Sequence, residues 1–143
     1  MNSVKTYDIL LVEDDEVDIM NIERAFKKNN ITNPFYVAHN GLEALAILRD
    51  EDNVTKIPRE RRLILLDLNM PKMGGIEFLR ELRADPELRA TPVIVLTTSN
   101  EDKDKVEAYN LNVAGYILKP VTFTKFVEAV ATLNQYWMLS EMP

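Results

Sequence analysis

The sequence contains no cysteine, one histidine, one tryptophan and four glycines among its 143 residues. Without thiols there can be no disulfide, zinc knuckle or thiol chemistry, and a reducing compartment, the cytoplasm, is the expected home. A lone histidine makes a His-rich metal site or a Ser-His-Asp triad nearly untenable. Basic charge is also scarce: 17 Lys+Arg face 23 Asp+Glu, giving a net charge of −6 and a pI near 4.9. A nucleic-acid backbone binder wants a basic face, so no nucleic-acid partner is expected. No apolar run approaches the roughly 18 residues of a membrane span, and Met1-Asn2-Ser3-Val4-Lys5 does not read as a signal peptide. No membrane partner is expected either. Gly74-Gly75 is the one glycine pair, with no phosphate-cradling loop around it. Chemistry here falls to carboxylates, hydroxyls, amines and borrowed ions.

What the chain does have is order. Ile9-Leu10-Leu11-Val12, Leu63-Ile64-Leu65-Leu66 and Val93-Ile94-Val95-Leu96 are short, continuous apolar runs. Strands covered on both faces of a parallel sheet read this way. Phe35–Ala38 and Gly115–Leu118 are weaker candidates. Helical spacing lies between them: Ile19, Ile22 and Phe26; Leu42, Leu45 and Ala46 after a capping Asn40; Ile76, Leu79 and Leu82 before Pro86. Phe123, Phe126, Val127 and Val130 line a last helix, and charged residues 101–110 form a loosely held one that Asn100 would cap. Strand and helix thus alternate five times, which predicts an α/β fold: right-handed crossovers and an open parallel sheet with helices on both faces. One domain over 1–143 is expected, with a core of about 7–133, a polar insertion at about 50–62 and an extension at about 134–143.

Open parallel sheets bind ligands beyond the carboxyl ends of their strands. Glu13-Asp14-Asp15 follows the first run, Asp67 and then Asn69 the next long one, Thr97-Thr98-Ser99 the third, and Lys119-Pro120 the fifth strand. Crowded carboxylates either take up protons or recruit a cation. Oxygen ligands without His or Cys select a hard ion such as Mg²⁺. Beside it, Asp67 suits a carboxylate nucleophile, Lys119 a counter-charge and Thr97 a hydroxyl donor, the parts that phosphoryl transfer requires. Asp15 alone reads as a helix N-cap, His39 as a loop residue near a cap, and Met70 and Met73 as packing.

Four motifs in register carry a resemblance: Leu11-Val12-Glu13-Asp14-Asp15, Leu65-Leu66-Asp67-Leu68-Asn69-Met70-Pro71-Lys72-Met73-Gly74-Gly75, Pro92–Thr97, and Gly115-Tyr116-Ile117-Leu118 with Lys119-Pro120. The chain resembles a two-component response-regulator receiver domain, CheY-like and stand-alone, from about Tyr7 to Leu133. The resemblance implies a flavodoxin-like, doubly wound five-stranded sheet in the order 2-1-3-4-5. It implies Asp67 as phosphoacceptor, fed from the phosphohistidine of a sensor histidine kinase or phosphotransfer protein. Asp14 would ligate Mg²⁺ (or Mn²⁺) directly, Glu13 through water, Asp67 by its carboxylate and Asn69 by its backbone carbonyl. Thr97 would bond the phosphoryl group, Lys119 would pair with it ahead of a cis bond to Pro120, and Tyr116 would follow Thr97 as the switch. Some positions depart from the pattern. The acid pair is Glu-Asp, Thr98 would narrow access to Asp67, and Gly74 in place of Asp implies a looser turn. The 50–62 insertion and the Tyr136-Trp137 tail are similar to phytochrome-associated single-domain regulators. That implies a bacteriophytochrome kinase, and either a homodimer through the last strand and flanking helices or a Tyr136-Trp137 tail packed back onto the domain's own core.

The resulting expectation is an interaction module rather than an enzyme, its signal passing to a downstream protein target because the chain closes at Pro143. Two alternatives use the same residues. One is a Mg²⁺-dependent aspartyl-phosphate phosphohydrolase, disfavoured because Asn69 stands where a proton-shuttling acid belongs. The other is a dimeric module that signals without phosphate.

Overall fold

Alternation within the apolar runs decides the fold. The computed structural model describes residues 7–51, 57–58, 61–70, 72–98, 106–107 and 110–131. Five strands, β1 (Asp8–Val12), β2 (Phe35–Ala38), β3 (Arg62–Asp67), β4 (Val93–Thr97) and β5 (Gly115–Leu118), form one parallel sheet in the order β2-β1-β3-β4-β5. The flavodoxin-like order is therefore present. Successive side chains of a strand point to opposite faces. Leu10, Val12, Ile64, Leu66, Val93 and Val95 accordingly enter one core, and Ile9, Leu11, Leu63, Leu65, Ile94 and Leu96 enter the other. Burying each such side chain contributes about 1.5–3 kcal/mol. No helix among the described residues is long and apolar enough to cross a membrane.

Helices α1 (Glu16–Lys28), α2 (Gly41–Leu48), α3 (Gly75–Ala84) and a last helix at 123–131 cover the two faces. Ile19, Ile22 and Phe26 of α1 pack on one side with Phe126 and Val130 of the last helix. There Phe26 meets Phe35 edge-on at 5.6 Å and Phe126 at 4.6 Å. Asp15 caps α1, accepting from the Val17 and Asp18 amides, and Asn40 caps α2 through the Glu43 amide. Helix α2 corrects the sequence reading. Its buried positions are Gly41, Ala44, Leu45, Ile47 and Leu48, while Leu42 is 55% exposed. Leu42 sits one 100° step off the 41–44–45–48 row, and the shorter Gly41 and Ala44 let the helix lie close to the sheet.

The segment read as a polar insertion is anchored where it is described. Ile57 and Arg62 are buried, and the Arg62 guanidinium donates to the carbonyls of Leu48 (3.1 Å), Ile57 (2.7 Å) and Pro58 (3.1 Å). Arg83 of α3 likewise donates to the carbonyls of Arg89, Thr91, Leu111 and Asn112. The loose helix expected at 101–110 is described only at residues 106, 107 and 110, and the 132–143 extension lies outside the described residues.

Candidate functional site

Each strand of the sheet's centre ends on a polar side chain at the same edge. Past β1, the Glu13 amide continues the sheet by donating to the Ala38 carbonyl (2.9 Å), which turns its carboxylate into the interior. Asp14 follows, exposed, and Asp15 is committed to capping α1. Asp67 closes β3, opposite Leu96 of β4, and is buried. Its Oδ1 accepts from the Asn69 amide (3.2 Å), which tightens the turn leaving the strand. Thr97 closes β4, buried, and its carbonyl accepts from the Lys119 amide (2.8 Å). Lys119 leaves β5 through a cis bond to Pro120. Lys125 donates to the carbonyls of Leu118 (3.0 Å) and Pro120 (3.3 Å), holding the backbone on both sides of Lys119.

These side chains converge. Carboxylate oxygens of Glu13, Asp14 and Asp67 lie within 4.8 Å of one another. Lys119 Nζ sits 2.8 Å from Glu13 Oε1, 2.9 Å from Asp18 Oδ2 and 3.6 Å from Asp67 Oδ2. One ammonium therefore faces three acids. Burial, and next to it the hydrogen-bonded and charged Asp67, push the Glu13 carboxyl up to about 8, against the opposing pull of Lys119. Burial alone would lower the Lys119 pKa, but its hydrogen bonds to Glu13 and Asp18 and the charge of Asp67 raise it. The site has more negative charge than its own cation balances. An oxygen-only, carboxylate-rich set with that imbalance fits a hard divalent ion.

The sequence-expected residues are placed as follows. Glu13, Asp14, Asp67 and Lys119 meet; Asn69, exposed, reaches Asp67 through its amide. Thr97 joins through the Lys119 backbone. Tyr116 lies opposite Val95, half-buried against the core of the α2–α3 side. Burial and then the charge of Glu107 raise its phenol pKa. Thr98 is exposed. His39 stands apart, its ring between Glu16 (3.2 Å) and Glu43 (3.4 Å) on the surface. Asp18 was not anticipated. An acid in a first helical turn is unremarkable, and its partner Lys119 lies 101 residues away, so the sequence carried no signal for it.

The family model for the response regulator receiver domain matches residues 9–131. The chain belongs to that family. Among relatives of this receiver, response regulator Rcp1 of Synechocystis sp. is 35% identical over 130 residues, covering 91% of this chain and 88% of Rcp1. The Mn(2+)-bound form of Rcp1 superposes with a TM-score of 0.68 at 34% identity, over 92% of this chain and 94% of that one. The bacteriophytochrome response regulator RtBRR superposes at 0.80 with 39% identity, over 89% and 77%. The phosphorylated cyanobacterial phytochrome response regulator RcpA superposes at 0.69 with 34% identity, over 95% and 96%. Receivers of this family are signalling proteins that act through phosphorylation rather than metabolic enzymes.

Proposed function

We propose that this receiver accepts a phosphoryl group on Asp67 from the phosphohistidine of a histidine kinase or phosphotransfer protein and signals to a downstream protein in the phosphorylated state. The observation that carries the reading is the convergence of Glu13, Asp14 and Lys119 on the buried Asp67. An Asp67 carboxylate oxygen attacks phosphorus, the nitrogen–phosphorus bond breaks, and the electron pair leaves with the donor imidazole. Lys119, 3.6 Å from Asp67, pairs with the transferred group, and the Thr97 hydroxyl donates to it. Such a transfer is mostly positioning and charge neutralisation, so no further base is required. Glu13, Asp14, Asp67 and the Asn69 carbonyl are the residues that would hold Mg²⁺ or Mn²⁺. When bound, the ion would neutralise charge on the phosphoryl oxygens.

Movement of Thr97 toward the phosphoryl group draws Tyr116 inward from its half-buried position and biases the face built by β5 and its flanking helices. That face carries Leu118, 49% exposed, and a cavity of about 270 Å³ lined by Tyr116, Leu118, Lys125, Glu128 and Ala129 among others. It is the surface through which we expect partner binding and self-association. The phytochrome-associated relatives make a bacteriophytochrome the leading donor, meeting this receiver in the cytoplasm. The test is incubation with acetyl phosphate and Mg²⁺ followed by intact mass. One added phosphate is expected on the wild type and none on Asp67→Asn. No label on the wild type, or equal label on the variant, overturns the reading.

A further inference from the structure

Lys119 is held away from the atom it must serve. Its ammonium makes two short bonds, to Glu13 (2.8 Å) and to Asp18 (2.9 Å), while Asp67 at 3.6 Å stands beyond hydrogen-bonding range. Glu13 belongs to the convergent carboxylates, but Asp18 does not. Nor does the Asp18 side chain cap its helix, a task done by Asp15. Asp18 is well fixed nonetheless. Its amide donates to Asp15 Oδ1 (3.2 Å), so the cap of α1 sets where its side chain begins. From there it crosses to the end of β5, with 37% of the side chain exposed against 16% for Lys119. Among the described contacts of Lys119, the bond to Asp18 serves neither the carboxylate cluster nor the helix cap.

We propose that Asp18 is a positioning residue that holds the Lys119 ammonium in the unphosphorylated protein and competes with the phosphoryl group for it. This rests on the reading of Asp67 as phosphoacceptor. To pair with a phosphoryl group Lys119 must move toward Asp67, now 3.6 Å away, and with two of its three protons held by Glu13 and Asp18 the bond to Asp18 opposes that movement. The charge of Asp18 therefore sets how tightly the site holds a tetrahedral anion. Asp18→Asn keeps the shape and removes the competing charge.

The experiment is calorimetric titration of the intact protein with beryllofluoride, a phosphoryl mimic, in saturating Mg²⁺. Asp18→Asn should bind it about two- to fivefold more tightly than the wild type, the upper part of the range for a partly exposed charged pair. Asp18→Glu, which restores the charge, should return toward wild-type affinity. Glu16→Gln removes a charge from the same helical turn but touches His39 rather than Lys119, and should change affinity by less than about twofold. In a Lys119→Ala background the gain from Asp18→Asn should vanish, which a purely structural role would not produce. Unchanged affinity in Asp18→Asn, or an equal gain with Lys119 removed, overturns the proposal. A wild type that binds no beryllofluoride overturns the phosphoacceptor reading, and this one with it.

Discussion

Two glycines show how closely the backbone approaches itself beside the site. A Cβ on Gly75 would lie 2.5 Å from Leu68 Cα and 3.0 Å from the Asp67 carbonyl. Neither neighbour is a flexible side-chain end, so the turn leaving Asp67 would have to shift. Gly75→Ala should lose about 1–3 kcal/mol of stability, as overpacked sites do, and should also weaken Mg²⁺ binding. Urea unfolding and a Mg²⁺ titration check both. Gly74, one residue earlier, is different. An added Cβ there meets nothing nearer than 3.7 Å, and as N-cap of α3 it supplies no side-chain acceptor. Gly74→Asp, which supplies that acceptor, should gain a few tenths of a kcal/mol in the same urea experiment. The looser turn expected from this glycine thus resolves into an uncapped helix.

At the scale of elements, the strands were legible and the anchors between them were not. Continuous apolar runs of four or five residues have one stable use in an α/β chain, so β1, β3 and β4 and the acids that close them could be placed on the sheet's carboxyl edge. Leu42 misled because a short helix offers two plausible rows, and the choice depends on which row contains residues small enough to approach the sheet. Arg62, Arg83 and Asp18 were invisible for a common reason. Their partners are backbone carbonyls or a lysine 101 residues away, and neither leaves a periodic mark. Asp85, at the C-terminus of α3, is a measurable example. It accepts from the Glu87 amide (2.9 Å) and from Arg49 Nε at the end of α2 (3.1 Å). The Glu87 amide first, with Arg49 adding, lowers its pKa below 3.8. A depressed acid contributes stability that is present above the unfolded-state pKa and lost as pH falls through the folded one. Asp85→Asn should therefore unfold at lower urea than the wild type at neutral pH, and that gap should close below about pH 4. A gap that persists at low pH would show that shape, not charge, joins α2 to α3.

For the whole molecule, part of the acidic excess behind the net charge of −6 sits where it works against folding and for binding. Asp67 is buried beside Asp14 and beside a Glu13 carboxyl that burial and Asp67 push up to about 8, with Lys119 as counter-charge, so the metal-free fold keeps its acids crowded together. Burial of this kind destabilises a protein unless something neutralises it. A divalent ion that binds the folded chain and not the unfolded one stabilises it by mass action, about 2.7 kcal/mol at one hundred times its dissociation constant. For a domain near 150 residues that corresponds to a rise in Tm of roughly 5–10 °C. Saturating Mg²⁺ should produce that rise and a chelator should reverse it. Asp67→Asn makes the argument sharper because its effect changes sign. The amide keeps an acceptor for the Asn69 N–H yet removes one of the crowded charges, so the variant should melt above the wild type without Mg²⁺. With Mg²⁺ the order should invert, since the variant has lost a ligand. Differential scanning calorimetry of both proteins, with Mg²⁺ and with chelator, reads all four states. A variant that stays below the wild type in chelator would mean that Asp67 is already neutralised by Lys119, and that the carboxylates at this edge are paired rather than strained.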